Sequence, residues 1–141
     1  RTQLSSDIVT LIEQAETLTA GNDKITVVIA LNYGGRNEIL QAASDFANLC
    51  KNKGVNPDIN AADEYFSGLL MTDGVPDPDL LIRTSGEQRL SNFLLWQCAY
   101  AELYFTRTYW PDFGQADLAT ALADYATRER RFGCLTGAGR E

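Results

Sequence analysis

Apolar residues recur at the spacing of an amphipathic helix in several parts of the chain. The predicted helices cover residues 6–20, 38–50, 61–70, 93–100 and 117–131. Ser5 or Ser6 can cap the first helix, and Gly21 and Gly54 lie where the first and second helices end. The segment 93–100 is almost wholly apolar, which favours a buried helix, whereas the other helices keep a polar face.

Three runs between these helices have the composition of β-strands. They are ITVVIAL at 25–31, DLLIR at 79–83 and ELYF at 102–105. The first run is β-branched and almost continuously apolar, which is typical of a strand covered on both faces of a parallel sheet. Because strands alternate with helices, the sequence predicts an α/β fold with a mostly parallel β-sheet flanked by helices. We expect a single α/β domain over residues 1–141, a length that can bury a core.

The charged residues narrow the range of functions. The chain has 12 Lys and Arg against 19 Asp and Glu, a net charge of −7, which argues against nucleic-acid binding in general because that binding needs a basic surface. The absence of histidine excludes imidazole catalysis and histidine-ligated metal sites within the chain. Three widely spaced cysteines, and no apolar stretch of ~20 residues, lead us to expect a protein of the reducing cytoplasm.

A concentrated group of cationic and hydroxyl side chains follows the second predicted strand, in DLLIRTSGEQRLSN at 79–92. Arg83 and Arg89 would diverge on one continuous helix, since six residues turn it by about 600°. A strand, a glycine-containing loop and a helix start can instead turn both guanidinium groups toward one point. Ser91 or Asn92 would lie at the N-cap, where free N–H groups favour an anion. This corner is a candidate diphosphate site.

Each of these features also has a structural interpretation. Arg83 and Arg89 can pair with Glu87 and nearby acidic residues on the surface, with Ser91 as a plain helix cap, and the residues alone do not separate the two interpretations. A second corner, NYGGR at 32–36, also follows a predicted strand and precedes a helix. Its two glycines suit an anion site or a tight turn equally well.

Glu102 is a further candidate, because it lies in the otherwise apolar stretch AYAELYF. A carboxylate in such a context needs a partner or a metal. From the sequence alone, a cap or a salt bridge to an arginine is the favoured interpretation. If a diphosphate lies on Arg83 and Arg89, however, a Mg²⁺ ion that bridges it to Glu102 becomes natural.

Several motifs, taken together and in order, resemble one known family. The motifs are LTAGN at 18–22, LNYGGR at 31–36, DLLIRTSGEQRLSNFLLWQCAYAELYF at 79–105, WPDF at 110–113 and RERRFG at 128–133. They are similar to the carboxyl-terminal half of bacterial cis-prenyltransferases, the undecaprenyl diphosphate synthases. The resemblance covers nearly the whole chain and is densest after residue 79.

The resemblance implies an activity and a set of roles. Members of this family extend an allylic diphosphate, usually farnesyl diphosphate, by repeated condensation with isopentenyl diphosphate, and so make the undecaprenyl lipid carrier of the bacterial cell wall. They need Mg²⁺, form homodimers, and can associate transiently with the membrane through their product. By motif, Arg83, Arg89 and Ser91 correspond to the isopentenyl diphosphate site. Glu102 corresponds to the acidic residue that serves the metal–diphosphate site of the neighbouring subunit.

Two departures from the family pattern limit what is carried over. Gln88 stands where the family often has a histidine that assists the metal. The aspartate-containing motif of the family's amino-terminal half has no counterpart in residues 1–22, so the catalytic residues stay unknown and we expect an isoprenyl transferase chain that is inactive alone. The alternative is a non-catalytic subunit or diphosphate-binding module that completes a partner's active site. An unrelated nucleotide-binding α/β domain is disfavoured, because the sequence has neither a P-loop nor GxGxxG.

Overall fold

A computed structural model describes residues 4–129, which fall into two compact units. The first unit extends to Leu31 and the second begins at Asn32. A single domain over residues 1–141 therefore stays a prediction. None of the helices among the described residues is both long and apolar enough to cross a lipid bilayer.

The first unit contains helix α1, Ser6–Thr19. Ser5 lies at its N-cap in extended backbone, and its carbonyl accepts a hydrogen bond from the N–H of Val9 at 3.1 Å. The helix ends two residues before Gly21, close to the predicted position.

The strand predicted over 25–31 is wrong. These residues have no regular structure, and Ile25, Val27 and Ile29 are 78%, 75% and 75% exposed. A β-branched run forms a strand only where a neighbouring strand supplies hydrogen bonds and a surface to pack on. Within residues 4–129 the sheet has two strands, and neither of them pairs with this run.

The second unit contains three α-helices among its described residues: α2, Gly35–Lys53; α3, Ile59–Tyr65; and α4, Gln115–Ala126. Helix α2 ends at Gly54 as predicted, since Gly54 has a φ of 67° and its N–H donates to the carbonyl of Cys50. Helix α3 is followed by a 3-10 helix, Ser67–Leu69. Helix α4 ends five residues earlier than predicted, and residues 130 and 131 lie outside the described part of the chain.

A parallel pair of strands forms the sheet. Strand β1, Leu80–Arg83, pairs with β2, Glu102–Phe105, in a register that places Leu80 opposite Glu102 and Arg83 opposite Phe105. Both strands lie where the sequence predicts them, and α4 packs against β2. The parallel pair and its helices confirm the predicted α/β class.

The α-helix predicted over 93–100 is wrong. The structure has turns there, followed by a 3-10 helix, Gln97–Tyr100. Asn92 and Leu94 have φ values of 65° and 43°, and a right-handed helix cannot pass through positive φ. The carbonyl of Asn92 instead accepts a hydrogen bond from the N–H of Gly35 at 2.7 Å. A tertiary contact with α2 thus replaces the local helical pattern.

Candidate functional site

The loop after β1 borders a cavity of about 410 Å³ in the second unit. Arg83 and Arg89 both line this cavity, together with the hydroxyl-bearing residues Thr84 and Ser85. The structure therefore brings together the two arginines that the sequence singled out.

The loop is held in place by the segment that follows β2. Ser85 and Gly86 have φ values of 68° and 70°, so the chain turns sharply directly after the strand. Their N–H groups donate to the carbonyls of Thr108 and Thr106 at 2.9 and 2.8 Å. These two N–H groups are used within the protein, so the donors left for an anion include the side chains of Arg83 and Arg89 and the hydroxyl groups of Thr84 and Ser85.

The two arginines differ in their surroundings. Arg89 forms an ion pair with Glu87, and the two side chains are 64% and 36% exposed. An exposed pair of this kind contributes only about 0–1 kcal/mol, so an incoming anion can displace it. Arg83 is half-buried and has no ion-pair partner among residues 4–129. The surface ion pair that the sequence left open thus forms at Arg89, and it leaves both arginines on the cavity.

Ser91 does not have the helix-capping position predicted for it, because no α-helix begins at this point. It is exposed, has a φ of 50°, and lies two residues beyond Arg89 without lining the cavity. The predicted anion site at a helix N-terminus is therefore wrong. A role for Ser91 in substrate binding stays a prediction.

Asn92 joins the loop to the second candidate corner at 32–36. Its carbonyl accepts from the N–H of Gly35 at 2.7 Å, and its Oδ1 accepts from the N–H of Arg36 at 2.8 Å. A Cβ atom at Gly35 would lie 3.1 Å from the backbone nitrogen of Leu95, closer than most side chains tolerate. Gly35 therefore allows a close approach of two backbone segments, and Asn92 occupies the first N–H groups of α2.

A buried polar cluster, which the sequence did not reveal, lies behind this corner. Glu38 on α2 is 2% exposed and accepts hydrogen bonds from the Tyr33 hydroxyl, the N–H of Met71 at 2.9 Å and the Gln97 amide at 3.2 Å. The Gln97 amide also donates to the Thr72 hydroxyl at 2.9 Å. Burial and the hydrogen bond to Glu38 raise the pKa of Tyr33. The one sequence signal was a lone glutamine within FLLWQCAYA.

An aromatic contact connects this cluster with the cavity. The rings of Tyr33 and Phe93 meet edge to face, with centroids 5.8 Å apart and planes at 81°. Phe93 lines the cavity beside the arginines. The position of this part of the cavity wall therefore depends on α2 and on the buried carboxylate of Glu38.

Glu102 lies away from Arg83 and Arg89. It is the first residue of β2, opposite Leu80, three register positions from the pair that contains Arg83, or roughly 10 Å along the strands. Its Oε2 accepts from Nη1 of Arg128 at 2.9 Å, and Arg128 also pairs with Asp124. These hydrogen bonds, first to Glu102 and then to Asp124, raise the pKa of Arg128.

The described residues do not form a magnesium site on their own. Among residues 4–129 no three acidic or cysteine side chains cluster as metal ligands would, and one oxygen of Glu102 is engaged by Arg128. Gln88 is exposed in the loop between the two arginines. A metal bound by Glu102 would need further ligands from elsewhere, so this assignment stays a prediction.

Comparison with known proteins agrees with the resemblance seen in the motifs. Residues 1–133 match the prenyltransferase family model described as undecaprenyl diphosphate synthase. An isoprenyl transferase of Agrobacterium fabrum is 52% identical over 135 residues, which are 96% of this chain and 54% of that protein. The (2E,6E)-farnesyl-diphosphate-specific ditrans,polycis-undecaprenyl-diphosphate synthase of Coxiella burnetii is 51% identical, over 86% of this chain and 51% of that protein.

A solved structure has the same fold. Lavandulyl diphosphate synthase from Lavandula x intermedia, in complex with dimethylallyl diphosphate, superposes with a TM-score of 0.84 at 41% identity, over 94% of this chain and 56% of that one. The chain thus spans about half the length of the relatives it matches. With a family model that matches nearly its whole length, this chain belongs to the undecaprenyl diphosphate synthase family of prenyltransferases.

Proposed function

We propose that this chain forms the isopentenyl diphosphate half of a cis-prenyltransferase active site. The complete enzyme condenses isopentenyl diphosphate with an allylic diphosphate such as farnesyl diphosphate to make undecaprenyl diphosphate, the carrier lipid of the bacterial cell wall. The observation that carries the proposal is the meeting of Arg83 and Arg89 on one cavity.

The chemistry of the two arginines suits a diphosphate. A guanidinium group presents paired N–H donors that match the oxygens of a phosphate, and it stays protonated at any physiological pH. Two such groups on one cavity neutralise much of the charge of a diphosphate and hold it in one orientation. In the condensation this fixes the position of the reacting double bond, which is how binding energy at a non-reacting group lowers a barrier.

We do not expect this chain to catalyse the condensation alone. The relatives that share its sequence are about twice as long, and the acidic motif that the family places in its amino-terminal half has no counterpart in residues 1–22. We therefore expect an isoprenyl transferase chain of the cytoplasm that binds isopentenyl diphosphate but makes no polyprenyl product. In the alternative function, the chain is a non-catalytic subunit that completes a partner's site, and product would then form when a chain with the missing motif is added.

Magnesium and a homodimer belong to the same proposal. Glu102 lies roughly 10 Å along the strands from the level of Arg83. The family resemblance implies that the carboxylate at the diphosphate comes from a second copy of the chain. Mg²⁺ between that carboxylate and the diphosphate oxygens would have the hard oxygen ligands that it prefers. An ion held there would offset the charge of the isopentenyl diphosphate, which keeps its diphosphate group during the condensation.

The test of the proposal is binding of isopentenyl diphosphate, measured by isothermal titration calorimetry. In Arg89→Ala we expect affinity to fall at least about tenfold, since a hydrogen bond to a charged group contributes roughly 1.5–3 kcal/mol. Arg107→Ala removes an equal charge from an exposed residue that does not line the cavity and serves as the control. Equal affinity in wild type and Arg89→Ala would refute the binding site. Polyprenyl synthesis by the 141-residue chain with both substrates and Mg²⁺ would refute its inactivity.

A further inference from the structure

The cavity beside β1 has two chemically different walls. Arg83, Arg89 and the neighbouring hydroxyl groups form a polar wall, and Leu81, Leu90, Phe93 and Trp110 supply apolar surface. A cavity of about 410 Å³ falls in the range of about 300–1,000 Å³ that is common for small-molecule sites. A bare anion would use the polar wall and leave the apolar residues in water.

Trp110 is the most exposed large residue of this apolar wall, at 74%, against 40% for Phe93. It begins the 3-10 helix Trp110–Asp112, and its ring stacks on Phe113 with centroids 6.3 Å apart and planes 9° from parallel. Its indole is therefore supported by a second ring while it keeps surface available to a ligand.

The segment that carries Trp110 is anchored on both sides. Before it, the Thr108 hydroxyl donates to Oδ1 of Asp117 at 2.9 Å. After it, the N–H of Gly114 donates to Oδ2 of the same carboxylate at 3.0 Å. Asp117 belongs to α4, so the start of this helix fixes the loop in which Trp110 lies. A fixed aromatic residue at a cavity is well suited to select a ligand, because little side-chain order has to be gained on binding.

We propose that Trp110 is a specificity-determining residue that covers the short hydrocarbon group of a diphosphate ester whose diphosphate lies on Arg83 and Arg89. The inference rests on the proposed function, and it adds the residue by which the site distinguishes an ester from free diphosphate. Two cations beside an aromatic wall match a ligand with an anionic head and a short apolar tail. Covering apolar surface contributes in proportion to the area removed from water.

Two ligands and four proteins test this assignment by calorimetry. The ligands are isopentenyl diphosphate and inorganic diphosphate, and the proteins are wild type, Trp110→Ala, Trp110→Phe and Tyr109→Ala. We expect wild type to prefer isopentenyl diphosphate by about tenfold, which corresponds to about 1.4 kcal/mol. Trp110→Ala should lose this preference, with its affinity for inorganic diphosphate within about twofold of wild type. Trp110→Phe should keep part of the preference.

Tyr109→Ala is the matched control, since Tyr109 is the neighbouring aromatic residue, is 65% exposed and does not line the cavity. It should keep the full preference. A loss of affinity for both ligands in equal measure in Trp110→Ala would overturn the inference, as would an unchanged preference. Failure of the proposed function looks different: neither ligand binds wild type, or Arg89→Ala binds both as wild type does.

Fluorescence gives a second measurement that does not depend on truncating Trp110. The chain has two tryptophans, so Trp96→Phe leaves Trp110 as the one indole emitter. Trp96 packs on Phe66, with centroids 4.8 Å apart, and does not line the cavity. In this variant isopentenyl diphosphate should shift or quench the emission at saturation, and inorganic diphosphate should change it less. Equal changes with the two ligands would contradict contact between the hydrocarbon group and Trp110.

Discussion

At the scale of single residues, Glu38 is the clearest case of a side chain whose role depends on its surroundings. The three groups that donate to its carboxylate are all neutral, namely the Tyr33 hydroxyl, the Met71 N–H and the Gln97 amide. Their convergence offsets the cost of burying a charge. Through Tyr33 the cluster also reaches Phe93 and thus the cavity wall. Glu38 is therefore a positioning residue for the cavity as well as a support of the interior.

Two substitutions of Glu38 test its contribution to stability. Glu38→Ala leaves the Tyr33 hydroxyl and the Met71 N–H without an acceptor, while the Gln97 amide keeps Thr72. Each unsatisfied donor costs about 1–3 kcal/mol, so we expect the free energy of unfolding to fall by about 2 kcal/mol or more. Glu38→Gln keeps one acceptor oxygen and should lose less. Urea unfolding followed by tryptophan fluorescence measures this, since Trp96 and Trp110 both belong to the second unit. A loss below about 0.5 kcal/mol in Glu38→Ala, the range of ordinary surface substitutions, would contradict a structural role.

At the scale of elements, the loop over 84–96 is shaped by the start of α2. Asn92 accepts hydrogen bonds from the N–H groups of Gly35 and Arg36, and its backbone has a φ of 65°. These hydrogen bonds and the positive φ prevent the helix that the apolar stretch would otherwise favour. The loop that carries Arg89 therefore takes its shape from a segment far away in sequence, residues 32–36, which contributes the close contact at Gly35, backbone N–H groups and the ring of Tyr33.

The two glycines should respond differently to substitution. A Cβ at Gly35 would lie 3.1 Å from the Leu95 backbone nitrogen and 3.2 Å from the Asn92 carbonyl oxygen, so backbone must move. At Gly34 the closest atom, at 2.8 Å, is Nδ2 of the Asn92 side chain, which can shift without backbone movement but then weakens its hydrogen bond with the N–H of Arg36.

We therefore expect Gly35→Ala to cost about 1–3 kcal/mol of stability, as overpacking does, and to weaken isopentenyl diphosphate binding. Gly34→Ala should have the smaller effect and serves as the matched control. Thermal unfolding and calorimetry measure the two quantities. A larger effect from Gly34→Ala would contradict the close backbone approach at Gly35 as the tighter of the two contacts.

At the scale of the whole molecule, Glu102 and the arginines lie at opposite ends of the parallel pair of strands. Within one chain, the Glu102 carboxylate is engaged by Arg128. We propose that the carboxylate at the metal site comes from a second copy of the chain, and the test compares binding with and without Mg²⁺.

Mg²⁺ should strengthen isopentenyl diphosphate binding in wild type, and Glu102→Gln should remove this gain while it leaves binding without Mg²⁺ unchanged. Asp124→Asn is the control, because Asp124 also pairs with Arg128 but has no proposed contact with the metal. Calorimetry in magnesium and in chelator measures the gain, and size-exclusion chromatography measures whether the chain forms a dimer. An undiminished gain in Glu102→Gln would rule out this carboxylate as a ligand.

The sequence by itself determined the features that depend on neighbours along the chain. The apolar period over 38–50 with Gly54 beyond it predicted α2 and its end, and the short runs at 79–83 and 102–105 predicted the two strands. The turn between Arg83 and Arg89 allowed both side chains to reach one point, and both line one cavity in the structure. These features follow from local conformational preference and side-chain period, which a sequence displays directly.

Only the tertiary structure decided the features that depend on distant partners. The contacts of Asn92 with Arg36 and of Gln97 with Glu38 join residues that are 56 and 59 positions apart. Because of the first contact, a loop stands where the sequence predicts a helix. Because of the second, the polar side chains of Gln97 and Glu38 belong to the interior. The run at 25–31 shows the same dependence, because its strand composition has no effect without a neighbouring strand. Hydrogen bonds of this kind are set by which segments meet in space, and a local pattern does not contain that information.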